Sequence, residues 1–303
     1  MSIINSIQAI QIIDSRGSPT VSCKVILDNG IHSTSMVPSG ASTGSREALE
    51  LRDGDSAYMG KGVSKAVANI HEIIAPALVG MDATNQQDID EKMLALDGTS
   101  SKAKLGANAI LGVSLAVLDA GSQALELPLY QYINKVFNDI NGEKPMMQMP
   151  SPMLNIINGG EHADNNIDIQ EFMIMPVGAD NFSQAMQWAT EIYSDLKNIL
   201  NAKGLSTSVG DEGGFAPNLQ SNQEAIELII QAIRNNNLAE GKDVGIALDC
   251  AASEFYNNGI YNLHGESKKL NSSELTNYLC DLTRQYPIFS IEDGMDESDF
   301  DGW

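Results

Sequence analysis

Val244-Gly-Ile-Ala-Leu-Asp249, the helical pattern of residues 272–286 and then Ile288-Phe-Ser-Ile-Glu-Asp293 form the stretch whose reading decides the fold. Two short apolar runs of strand length flank one segment of helix length, and both runs end in acid. Alternation of apolar strands with helices implies a parallel sheet with helices on its faces. In such architectures function collects at the carboxyl ends of the strands, so Asp249 and Glu292 become the first candidate site residues.

Working outward toward the N-terminus, the same grammar continues. Met153–Ile157 and Phe172–Met175 read as short buried strands. Residues 181–203 read as an amphipathic helix that Gly204 ends in a left-handed cap. Ser221-Asn-Gln-Glu224 reads as a capping box opening a helix to about Asn235. A glycine-bearing hairpin at Asn257-Asn258-Gly259 reads as an insertion. Before Pro150 the grammar differs. Ile3–Ile13 and Thr20–Leu27 are β-rich, and Asp28-Asn29-Gly30 turns a second hairpin into Ile31–Val37, because Asn-Gly adopts the positive φ of tight turns. Helical patterns follow at about 63–79, 86–96 and 107–126, the last apolar almost all round and therefore buried. Strands first and helices second describe an α+β domain. The expected organisation is an α+β domain over 1–135, a linker over 136–150 with Asn141-Gly142, Pro145 and Pro150, and an α/β domain over 151–303.

A complete eight-stranded α/β barrel takes roughly 250 residues. The stretch from Ser151 to Trp303 accommodates about half of one, or a smaller open α/β sheet. The chain ends on Asp301-Gly302-Trp303 just beyond a strand, with no following helix, and this reads as an interruption.

Lys plus Arg number 18 against 40 Asp plus Glu, a formal charge of −22. Such a surface repels nucleic acid phosphates and anionic lipid, so neither is an expected partner. An anionic substrate would need local positive charge from side chains or bound cations. Cys23, Cys250 and Cys280 are few, odd in number and far apart, which fits a reduced compartment better than a disulfide framework or a zinc site. The N-terminus lacks the basic and apolar segments of a signal peptide, and no uncharged run approaches the roughly 20 residues that span a bilayer. The expected location is the cytoplasm, with no membrane insertion.

Neighbouring strand-end carboxylates such as Asp249 and Glu292 converge on a hard divalent cation such as Mg2+, which prefers oxygen ligands; the plainer reading is a turn former or a helix cap. Two ligands leave such a site underfilled, and a third carboxylate is expected on a further strand. Gly210-Asp211-Glu212-Gly213-Gly214 holds two acids among glycines that permit close backbone approach, against the plainer reading of a surface turn. Asn158-Gly-Gly-Glu-His162 places a histidine in a glycine loop after a strand, and a lone loop histidine is more often incidental. Gln170-Glu171-Phe172 puts a carboxylate at the mouth of an apolar strand, where desolvation raises its pKa toward proton-transfer duty. Ser39-Gly-Ala-Ser-Thr-Gly44 has the small-residue composition of a closing lid or simply of a loop. His32, His71 and His264 read as structural or exposed. No phosphate-binding Walker loop, dinucleotide fingerprint or Gly-x-Ser-x-Gly elbow occurs.

Taken in order, Asp14-Ser-Arg-Gly, Pro38-Ser-Gly-Ala-Ser-Thr-Gly, Asn158-Gly-Gly-Glu-His-Ala-Asp-Asn, Gln170-Glu-Phe-Met-Ile-Met-Pro, Gly210-Asp-Glu-Gly-Gly, Leu248-Asp-Cys-Ala-Ala-Ser-Glu and Ser290-Ile-Glu-Asp-Gly resemble the enolase family over essentially the whole chain. Gly294, where eukaryotic members usually carry Pro, resembles the bacterial type. The departures are slight: Ser18 replaces the usual Asn, and Ser45 follows the lid.

The resemblance implies an enolase-type, TIM-like barrel after the α+β domain, of which about the first half is present, and a C-terminally truncated chain. It implies Mg2+-dependent, reversible dehydration of 2-phosphoglycerate to phosphoenolpyruvate in glycolysis. Metal stabilises the dianionic intermediate formed when a proton leaves carbon beside a carboxylate; the general account of this superfamily pairs a Lys or His base with Mg2+. By motif, Asp249 and Glu292 resemble ligands of the first Mg2+ and Ser42 the lid serine that joins the second. Glu212 resembles the acid that assists hydroxyl departure, Glu171 its partner at the substrate, and His162 the mobile-loop residue that approaches the substrate. Both family metal sites are incomplete here, and the lysine base, the third metal carboxylate and the Arg-Ser phosphate clamp have no match in the chain, so the chain alone is expected to be inactive. The resemblance also implies a homodimer or higher homo-oligomer for an intact enzyme. The competing expectations are a non-catalytic binding or scaffolding protein derived from enolase, or another acid-sugar lyase of the superfamily.

Overall fold

The computed structural model describes residues 2–40, 43–142, 146–210 and 212–303. The chain divides into two compact units, Met1–Met147 and Gln148–Trp303. Each has its own apolar core.

In the first unit, strands β1 (Ile4–Ile13), β2 (Pro19–Leu27) and β3 (His32–Met36) form an antiparallel meander in the order β1-β2-β3. The Asn29-Gly30 turn joins β2 to β3, and Gly30 takes a φ of +86° there. Val21, Cys23, Val25 and Leu27 alternate along β2, as one face of a strand must, and all are fully buried. The helices cover that face. They are α1 (Ser64–Asn69), a π-helical turn Ile70–Ile74, α2 (Ala75–Leu78), α3 (Gln86–Asp97) and α4 (Ala107–Ala124). Helix α4 buries Ala109, Val113, Ala116, Val117 and Ala120, and the hydroxyl of Ser35 donates to the Gly112 carbonyl at 2.6 Å to bring helix and sheet together. His71, on the π turn, accepts the Ala9 amide through Nε2 at 2.9 Å and so satisfies an edge donor of β1.

A further helix, α5 (Leu129–Asn141), runs through the first part of the segment expected as a linker. Asn141-Gly142 is its C-terminal cap, with Gly142 left-handed and its amide bonded to the Asn138 carbonyl. The pair that reads as a loop signal in the sequence is a helix stop. No single helix among the described residues is long and apolar enough to cross a membrane.

The second unit is built on a four-stranded sheet of β4 (Leu154–Asn158), β5 (Glu171–Met175), β6 (Gly245–Asp249) and β10 (Ile288–Glu292), in the order β10-β6-β5-β4. Its helices are α6 (Phe182–Ala202), α7 (Asn222–Asn235) and α8 (Ser272–Gln285). The expectation of a parallel sheet is corrected. Only β6 and β10 run parallel, whereas β4–β5 and β5–β6 are antiparallel. The connections explain this. One helix, α8, returns the chain to the starting edge and gives a parallel neighbour. Two helices, α6 and α7, separate β5 from β6 and deliver the chain to the opposite edge. No long helix separates β4 from β5, so the chain folds straight back. Among the described residues the four strands do not close into a barrel.

A small meander of β7 (Tyr256–Asn257), β8 (Ile260–Leu263) and β9 (Lys268–Leu270) follows β6 and turns on Asn258 and Gly259, both at positive φ. The helix starts also differ from their reading. Ser221 caps α7 by accepting the Glu224 amide, but Glu224 reaches back to the amide of Gln220, so the reciprocal box is absent. A full capping box instead opens α8, between Asn271 and Glu274.

Candidate active site

Strand direction places the acids. Because β5 runs against β6, the first residue of β5 lies level with the last residue of β6. Glu171 is therefore paired with Asp249, and Asp249 with Glu292, across three adjacent strands. Asn158, at the end of β4, pairs with Glu171 and completes the row. Directly opposed residues share a face, with Cβ atoms about 4.5–5.5 Å apart. The strands extend one residue further than their apolar patterns, so the three carboxylates occupy the last rung of the sheet.

Partial burial dominates the electrostatics, and crowding of like charge adds to it. Burial is the largest influence on Glu171, and the charges of Asp249, Glu212 and Glu292 add to it, pushing the carboxyl up to about 7. Burial likewise raises Asp249, opposed by the Ala251 amide it accepts at 3.0 Å and reinforced by the charge of Asp293. Glu292 is raised by burial and then by Asp249 and Asp293. Among the described residues, no lysine or arginine is one of the charges acting on Glu171 or Glu292.

His162 ends a one-turn helix, Gly160–His162, and is buried. Its Nδ1 lies 3.2 Å from Glu171 Oε1, within ion-pair range but off the angle of a hydrogen bond. Glu212 is exposed in the loop Gly210–Gly214, close enough for its charge to act on Glu171. That loop is anchored from two sides. Tyr193 of α6 donates its hydroxyl to the Gly213 carbonyl at 2.8 Å and stacks its ring on Phe215, with centroids 4.3 Å apart. Asn158 Oδ1 accepts the Gly214 amide at 2.8 Å. Ser42 lies outside the described residues, and Asp211 does too.

The structure thus brings Glu171, Asp249, Glu292, His162 and Glu212 into one neighbourhood of the second unit. Two participants carried no assigned role in the sequence. Gln170 is 3% exposed, donates through Nε2 to Asp249 Oδ2 at 3.4 Å and leaves Oε1 without a partner among the described residues. Asp293 holds a φ of +45° just past the rung and adds its charge to Asp249 and Glu292. The Gln170-Glu171 motif was the available signal for the first; nothing in the sequence marks the left-handed turn of the second.

The donor chemistry fits a hard divalent cation. Asp249 and Glu292 offer carboxylate oxygens from neighbouring strands, and their pKa values are raised first by burial and then by neighbouring negative charge, both of which a cation would offset. Among the described residues no three His, Cys, Asp or Glu side chains gather as a complete ligand set. Mg2+ is commonly held by one or two carboxylates together with waters and substrate oxygens, so a pair is compatible with it.

Comparison with known families agrees with this architecture. Residues 4–133 match the family model described as the enolase N-terminal domain. Residues 146–303 match the one described as the enolase C-terminal TIM barrel domain. The two matches together cover nearly all of the chain, and the chain belongs to the enolase family, whose chemistry is of the lyase type.

Proposed function

We propose that this chain carries the residues with which an enolase binds Mg2+ and assists hydroxyl departure in the interconversion of 2-phosphoglycerate and phosphoenolpyruvate. The single observation that carries the reading is the rung Glu171–Asp249–Glu292, two half-buried carboxyls and one exposed one in register, with Glu212 beside them. Asp249 and Glu292 hold the first Mg2+ and Ser42 joins the second. The metal ions, when bound, offset the negative charge that builds on the substrate carboxylate as the carbon-bound proton leaves.

The side chains divide the remaining work. Glu212 presents its carboxyl group to the departing hydroxyl and assists its departure. Glu171, its carboxyl pushed up to about 7 by burial and by the charges of Asp249, Glu212 and Glu292, holds a proton that it can hydrogen-bond into the same region. His162 closes over the substrate from its glycine-rich turn.

The family's proton-abstracting lysine and its Arg-Ser phosphate clamp have no matching motif in these 303 residues. We therefore expect no turnover from this polypeptide by itself. A coupled assay for phosphoenolpyruvate on a verified 303-residue preparation tests this, and sustained Mg2+-dependent formation of phosphoenolpyruvate would overturn it.

A further inference from the structure

We propose that Asn158 is a positioning residue, the bracket that fixes the Glu212-bearing loop and the Gln170–Glu171 strand start to one another. Its function is inferred from where its four polar groups go. Asn158 is fully buried beneath the site. Its side-chain oxygen accepts the Gly214 amide at 2.8 Å, and its Nδ2 faces the Gln170 carbonyl at 3.5 Å. Its backbone amide donates to the Phe215 carbonyl at 2.9 Å, and its backbone carbonyl accepts Asn165 Nδ2 at 2.9 Å. One residue thereby holds the three segments that carry Glu212, Gln170–Glu171 and His162.

The glycines of the loop record the same fit. A Cβ on Gly210 would lie 2.5 Å from the His162 carbonyl oxygen and 2.9 Å from the Cβ of Asn158. A Cβ on Gly214 would lie 2.7 Å from Asn158 Oδ1 and 2.9 Å from the Ile157 amide nitrogen. Real side chains do not occupy such gaps, so these two glycines are there for contact with Asn158 and its neighbours. The ends of the loop at Gly210 and Gly214 are packed, and Asn158 braces Gly214 from beneath by its amide.

The inference rests on the reading of Glu212 as a site acid, but its test needs neither metal nor substrate, so the two fail separately. The measurement is hydrogen exchange of the Gly214 amide, by NMR on the full chain with isotopically labelled glycine, beside the thermal midpoint of the same samples. In Asn158→Ala the acceptor is gone, and exchange at Gly214 is expected to accelerate roughly tenfold or more beyond the change seen in core amides of α6 and α7. Asn158→Asp keeps an oxygen in the same place but adds charge beside Glu171, so its midpoint falls while Gly214 stays close to wild-type protection. A purely structural role would make local protection follow the midpoint in both variants. That outcome, or unchanged Gly214 protection in Asn158→Ala, would overturn the proposal.

Discussion

At the scale of single residues, the site is a place where like charges are held together by strand register. Asp249 faces a carboxyl on either side, and partial burial of Glu171 and Asp249 weakens the screening of their charges by water. Removing one charge should therefore stabilise the metal-free protein. Glu171 has its folded pKa raised from 4.5 to about 7, so folding costs progressively more as pH rises between those values. Stability associated with Glu171 is full below 4.5 and lost by the time the pH exceeds about 7. Glu171→Gln should raise the unfolding free energy on the order of 2 kcal/mol at slightly alkaline pH and very little in acid. Urea denaturation at the two pH values checks this, and equal effects at both would contradict it. Packing gives a prediction of the other sign. Gly214→Ala forces a methyl group against backbone and two buried asparagine oxygens, and should cost about 2–3 kcal/mol by the same measurement. The residue types of the site were legible in the sequence because acids at strand ends and glycines around acids are local signals. Their order across the sheet was not, because register depends on which strands pair.

At the scale of elements, most strands and helices follow from periodicity and caps, while topology required counting the helices between strands. The parallel reading was natural for β6 and β10, where one helix intervenes. It failed at β4–β5 and β5–β6, where none or two do. Helix α5 was obscured because Asn141-Gly142 ends a helix with the same residues that open a loop. The β7–β9 meander, which reads as a mere insertion, ties elements together. Glu266, at its far end, accepts from the Asn222 amide at 3.0 Å and from the Tyr278 hydroxyl at 2.9 Å, and pairs with Lys268. Asn222 in turn accepts the Ile169 amide at 3.2 Å, just ahead of β5. Burial alone would raise the Glu266 carboxyl, but the bonds from Lys268, Asn222 and Tyr278 outweigh it and hold it below 4.5. The sign is opposite to that of Glu171. This stabilisation is present above 4.5 and lost as pH falls below it. Chemical denaturation at neutral pH and at an acid pH below 4.5 should show wild type losing more stability than Glu266→Gln; parallel losses would remove the carboxylate from the account.

At the scale of the whole molecule, two units with separate cores carry unequal shares of chemistry. The described rung, His162 and the Glu212 loop all belong to Gln148–Trp303. A fragment ending at Gly142 retains the complete first core, from Ile4 to Ala120, and should unfold cooperatively by itself. The net charge of −22 takes on a meaning at this scale that composition did not provide. Part of it is concentrated at one end of the second unit's sheet, where Asp249, Glu292 and Asp293 act on one another, and the proposed divalent ion would offset it.

That claim is most directly tested by thermal unfolding of wild type, Asp249→Asn and Glu292→Gln, each without divalent ions and in millimolar Mg2+. The account predicts that Mg2+ raises the wild-type midpoint by mass action. Each variant should melt higher than wild type without metal, because a repelling charge is gone, yet gain little or nothing from Mg2+. A wild-type midpoint indifferent to Mg2+, or variants that respond to it as strongly as wild type, would contradict the assignment of Asp249 and Glu292 as the metal-binding pair.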